Sequence, residues 1–130
     1  MGGEDRLRRL TVPDGTLYRW RVRHRHGDDE PCEEVLALNR DGVRVQIVFR
    51  GGPGRVAGSA PYSHSGLVCD EHGRWVNLHE PGVVRAFVDE LRRRGTEAGQ
   101  VDGWELLPAV VVSRAAAATP GVPPDCPPGP

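Results

Sequence analysis

Tyr18-Arg19-Trp20-Arg21-Val22-Arg23-His24-Arg25 alternates a large or apolar side chain with an arginine at every step. Successive side chains on a β-strand point to opposite faces. Period two therefore sorts this stretch into an inner row of Tyr18, Trp20, Val22 and His24 and an outer row of arginines. Upstream, Leu10 and Val12 lead into Pro13-Asp14-Gly15, a turn signal. Downstream, Gly27 to Pro31 is polar and turns the chain. A strand is then expected from Glu33 to Leu38, a tight hairpin at Asn39-Arg40-Asp41-Gly42, and a return strand from Val43 to Arg50.

The register follows from what must be buried. Leu36 and Leu38 should share a face with Val45 and Ile47, and with Trp20 and Val22. A one-residue slip would turn the arginine row into the core, so the parity of pairing is strongly specified.

Gly51 to Ser65 reads as a long loop rich in Gly, Ser and Pro. Gly66–Asp70 and Arg74–Leu78 look like a second hairpin around Glu71, His72 and Gly73. The period then changes. Val83, Val84, Phe87, Val88 and Leu91 fall on one face of a helix, with Pro81 in its first turn and Gly95 just past its end. Arg92, Arg93 and Arg94 suit the negative C-terminal end. Trp104–Leu107 and Val110–Val112 read as a last strand broken at Pro108. The expected fold class is α+β: an antiparallel four- to six-stranded sheet with one amphipathic helix packed on its apolar face.

Composition sets the limits of the domain. Of 130 residues, positions 1–7 read as a flexible N-terminus, 8–113 as a single α+β domain, and 114–130 as a disordered Pro/Ala-rich tail. A core of about 100 residues folds without metal or disulfide help. The formal net charge is −1, so no global field draws the chain to nucleic acid or membrane. All 17 basic side chains are arginine, a bias that fits a GC-rich genome. Met1 to Arg9 is charged and no apolar run follows it, so no signal peptide is expected. Three cysteines, Cys32, Cys69 and Cys126, show no paired spacing, which points to a reducing cytoplasm without a disulfide framework.

Gly15-Thr16-Leu17-Tyr18-Arg19-Trp20-Arg21-Val22-Arg23 resembles the opening strand of a loose group of uncharacterised small bacterial proteins, mostly actinobacterial. The Pro81-Gly82-Val83-Val84 helix closed by Gly95 and followed by Trp104 is similar to the group's later helix. Here eight residues separate Gly95 from Trp104, where the group usually has Gly-Trp directly. The resemblance implies a strand and a helix. It carries over no activity and no functional residue.

Chemistry is sparse. The outward row of Arg19, Arg21 and Arg23, joined by Arg44 on the return strand, forms a cationic ladder suited to phosphate oxygens, and Tyr62 in the neighbouring loop could add stacking. Against this stands the ordinary polar outer face of an antiparallel sheet. Asp28, Asp29, Glu30, Glu33 and Glu34 crowd one end of it, so strong nucleic-acid binding is not expected and any anionic ligand should be short. His64, Cys69, His72 and His79 carry metal-ligating side chains, but their spacing departs from known zinc sites and Cys69 reads more simply as a small core hydrophobe. Gly51 to Ser59 has no Lys and no helix start, so it is not a phosphate-binding loop. No nucleophile–base arrangement can be assigned around Ser63-His64-Ser65. The expected function is a small non-catalytic binding or protein-interaction module with no cofactor, its partner a protein or a second copy meeting it at a sheet edge or at the surface around Trp75 and Trp104. The alternative is a metal-binding protein or enzyme built on His64, Cys69, His72 and His79.

Overall fold

The computed structural model describes residues 7–25, 32–57, 66–96 and 98–117. Five strands form the main sheet: β1 (Arg8–Thr11), β2 (Leu17–Arg25), β3 (Glu33–Arg40), β4 (Val43–Arg50) and β8 (Gly99–Asp102), in the order β1-β2-β3-β4-β8. The first four are antiparallel neighbours, and β8 runs parallel to β4. Strands β5 (Val56–Ala57), β6 (Leu67–Cys69) and β7 (Trp75–Asn77) form a separate small antiparallel sheet. The helices are α1 (Pro81–Arg94) and α2 (Gly103–Ala117).

The register is the one the buried faces demand. Trp20 lies opposite Leu38 and Leu38 opposite Val45, while Val22, Leu36 and Ile47 form the next row. All six are at most 3% exposed. The β3–β4 hairpin turns on Asp41 and Gly42, at φ 53° and 84°. Positive φ at both central residues is the type I′ turn whose twist matches the strands it joins, and Asp-Gly supplies it at low cost.

Helix α1 occupies the expected span. Gly95, at φ 72°, donates its N–H to Arg92 O, and Thr96 donates to Leu91 O at 2.9 Å, so the last carbonyls are satisfied by a left-handed cap. Val83, Val84, Phe87, Val88 and Leu91 are buried in one core with Trp20, Val22, Leu36, Leu38, Ile47 and Phe49. Phe49 joins the layers, meeting Phe87 of α1 edge-on at 5.6 Å and Trp104 of α2 at 5.2 Å.

The C-terminal part departs from the sequence reading. Residues expected as a last strand, Trp104–Leu107 and Val110–Val112, lie in α2. Gly103, Leu106, Leu107 and Val110 are buried at helical spacing, and packing overrides the β propensity of the Val run. Asp102 caps the helix: its Oδ1 accepts the N–H of Trp104 at 3.0 Å. Pro108 sits inside the helix, where it leaves one carbonyl without an intrahelical donor. The last strand of the sheet is instead Gly99–Asp102. Helical backbone reaches Ala117, past the expected start of the tail at residue 114. Among the described residues no helix is long and apolar enough to cross a membrane.

The 66–78 hairpin is present as β6 and β7, in the small sheet rather than the main one. Its turn is organised by Asp70, whose Oδ1 accepts the N–H groups of His72 and Arg74, both at 2.9 Å, and whose Oδ2 takes Arg74 Nε at 2.7 Å. Part of the expected Gly51–Ser65 loop is ordered: Gly52 and Arg55 exchange backbone hydrogen bonds, and β5 follows directly.

Candidate functional site

The outward face of the main sheet is laid out in rows by the strand register. One row runs Arg9, Arg19, Asn39, Arg44 across β1 to β4. The next runs Arg21, Ala37, Gln46, Gln100, then Arg23, Val35, Val48, Asp102, and last Arg25, Glu33, Arg50. Residues two apart on a strand are separated by about 6.7 Å and adjacent strands by about 4.8 Å. The structure thus brings Arg19, Arg21, Arg23 and Arg44 onto one face, as the alternation predicts.

Ion pairing divides the arginines into two groups. Arg25 and Arg50 both hold Glu33, at 3.2 and 3.1 Å. Arg55 holds Glu71, Arg74 holds Asp70, Arg85 holds Asp89, Arg93 and Arg94 hold Glu90, Arg92 holds Asp14, and Arg114 holds Glu80. Arg8 lies over the Trp20 ring at 5.0 Å and donates to the carbonyl of His79 at 3.0 Å. Among the described residues, Arg9, Arg19, Arg21, Arg23 and Arg44 have no ion-pair partner, and all five are on the outward face.

Arg9 was missed by sequence reasoning, because Leu10 and Val12 suggested only a lead-in to a turn. Its partnership with Arg19 is a cross-strand relation that single-strand periodicity does not contain. Tyr62, expected beside this face, lies outside the described residues. Within the face, Val35 and Val48 are 2% and 7% exposed, so the sheet is covered rather than solvated between the cationic end and the Glu33 end.

A cleft of about 690 Å³ opens at the opposite corner, where β4 and β8 end and α2 begins. Its walls include Val48, Val101 and Trp104, with Arg50, Arg55, Glu33, Glu71 and Asp102 around them. Trp104 is fixed by its indole N–H to Arg50 O at 2.8 Å, and the Arg55 guanidinium lies over its ring at 5.3 Å. The acids here are committed: Glu33 to two arginines, Asp102 to the helix cap. Glu71 is held below the usual carboxylate range by a backbone hydrogen bond and by the Arg55 side chain. Sequence reading missed this cleft because it placed no strand at Gly99–Asp102. The available signal was Asp102-Gly103-Trp104-Glu105, an acidic cap followed by Glu at the third helical position.

The metal alternative gains no geometry. Cys69 is buried, as expected of a small core side chain, with its Sγ 3.5 Å from the Asp70 carbonyl oxygen. Cys32 is the free cysteine among the described residues. His72 is exposed in the β6–β7 turn, and His79 is half-buried beyond β7 with its ring against Gly66. No three His, Cys, Asp or Glu side chains among the described residues converge as metal ligands, and His64 lies outside them. Comparison with protein-family models, curated proteins and solved structures finds no match for this chain.

Proposed function

We propose that the chain is a small non-catalytic binding module that presents the outward face of its five-stranded sheet to an anionic partner. The sorting of the arginines supports this reading. Like charges opposite each other on neighbouring strands destabilise a sheet. Arg9 opposite Arg19 is such a pair, and Arg44 joins it with no carboxylate in the row. A bound anion would relieve that repulsion through charge-assisted hydrogen bonds.

The test is a titration of the whole chain with three anionic probes at low and moderate salt: inorganic tripolyphosphate, a polyglutamate peptide and a single-stranded DNA oligomer. At least one should bind at low salt, weaken as salt rises, and lose affinity in the double variant Arg19→Ala, Arg44→Ala. If the DNA oligomer engages three or four guanidiniums, its log–log salt slope should be about −2 to −3, at about 0.7 per phosphate. With a formal net charge of −1, binding is expected to be weak at physiological salt. Failure of all three probes at low salt, or binding indifferent to the double variant, sinks the proposal.

A further inference from the structure

Resting on that reading, we infer that the anion is a short phosphate chain or a phosphorylated group, held at the corner formed by Arg9, Arg19 and Arg44. The rows locate the corner. Moving along β2 from Arg19 to Arg25, acid enters only the last two rows: Asp102 shares the row of Arg23 and Glu33 the row of Arg25, while the Arg21 row holds a single arginine and no acid. The Arg9–Arg19–Asn39–Arg44 row contains none. The nearest acid in sequence, Asp41 at the tip of the hairpin, makes no ion pair with the row.

The spacing fits convergence on one compact group. Arg9 and Arg19 are direct cross-strand partners, about 5 Å apart at their Cα atoms. Arg44 lies two strands from Arg19, about 10 Å away. Between them stands Asn39, whose Oδ1 accepts the Gly42 N–H at 3.1 Å. That bond commits the amide oxygen to the turn and leaves the amide nitrogen as a neutral donor in the row.

Charge and donor count select the ligand class. A carboxylate has two oxygens and one negative charge, and Glu33 and Glu90 each take up two guanidiniums. Three forks and an amide need a group with more oxygens and more than one negative charge, which a phosphate chain supplies and an isolated carboxylate does not. Bases are not read here. Tyr18, Trp20, Phe49, Phe87 and Trp104 are buried, and the described outward face carries no aromatic ring on which a base could stack.

The probe is inorganic tripolyphosphate, with orthophosphate, the polyglutamate peptide and the DNA oligomer as comparisons, followed by calorimetry at low salt. Tripolyphosphate should bind at least about tenfold tighter per molecule than orthophosphate or the peptide. Arg19→Ala and Arg44→Ala should each weaken it about tenfold or more. Arg19→Lys, which keeps the charge but loses the fork, should also weaken it, and Arg23→Ala should change it less than about threefold. Circular dichroism of each variant confirms that the sheet is intact. If the peptide or the DNA binds through the arginine face and tripolyphosphate does not, this inference falls while the anion-binding module stands. Equal losses for Arg23→Ala and Arg19→Ala would also overturn it, by placing the site along β2. If no probe binds, both fall.

Discussion

The wholly buried carboxylate of Glu34 accepts the backbone N–H of Gly66 at 2.8 Å, tying the centre of the large sheet to the residue that leads into the small one. Its other oxygen meets Nδ1 of His24 on the neighbouring strand. A carboxylate is tolerated at this depth only because it is hydrogen-bonded. Glu34→Ala leaves those partners without an acceptor and should cost about 3–5 kcal/mol. Glu34→Gln should cost less, because its amide oxygen can still accept from Gly66. Urea denaturation of both variants checks the order, and an unchanged midpoint for Glu34→Ala would refute it.

Phe87 is fully buried and meets Phe49 edge-on. Phe87→Ala removes the contact through which α1 grips β4 and leaves a cavity, at about 3–5 kcal/mol. A loss under about 1 kcal/mol in chemical denaturation would mean that α1 is not held by this side chain.

Gly103 opens α2 directly against the Phe49 ring. A Cβ there would lie 2.4–2.6 Å from three ring carbons, and a ring packed between Phe87 and Trp104 cannot step aside. Gly103→Ala should therefore destabilise by about 1–3 kcal/mol. Gly52→Ala, where nothing lies within 4 Å, should be near neutral. Thermal melts of the pair give the contrast, and equal melting temperatures would contradict it.

Acid should unfold this protein through Asp70 and Glu90. Burial works to raise the pKa of Asp70, but the Arg74 side chain and the backbone N–H groups of Arg74 and His72 outweigh it and hold the carboxyl below its ordinary value. Arg93, then Arg94, do the same for Glu90 against its burial. Both folded values lie below the unfolded ones, so the stability they contribute is complete above about pH 5 and is lost as pH falls through the folded values. The urea midpoint should stay level from pH 7 to 5 and drop below pH 4, and Asp70→Asn should flatten that drop. A midpoint that rises on acidification would reverse the sign.

How far the sequence reaches depends on the element. Strands β2 to β4 are legible because one face is buried and the other is polar apart from Val35 and Val48, which writes period two into the chain. Helix α1 is legible for the same reason at period 3.6. Helix α2 is hidden because Leu106 to Val112 is apolar on nearly every side, so no face stands out, and Pro108 imitates a break. Strand β8 is hidden because its one apolar inward side chain, Val101, makes no alternation. Gly99–Asp102 is a strand because the edge of β4 is there to pair with it. The candidate site divides the same way. Arg19, Arg21 and Arg23 are visible along one strand, whereas Arg9, the Asn39 donor and the row of three arginines emerge only once strands lie side by side.

The parallel pairing of β8 with β4 also fixes an order of assembly. Strands β2, β3 and β4 meet through contacts local in sequence, the last two across a two-residue turn. The β8 edge cannot close until all of residues 51–98 have been gathered, including the small sheet and α1. Loop closure over that span costs entropy before any contact offsets it. The arginines lie on β1, β2 and β4, whose pairings do not need that closure, so the β8 edge at the Trp104 cleft should open more readily and its amides should exchange with solvent deuterium faster than those of β2 and β3.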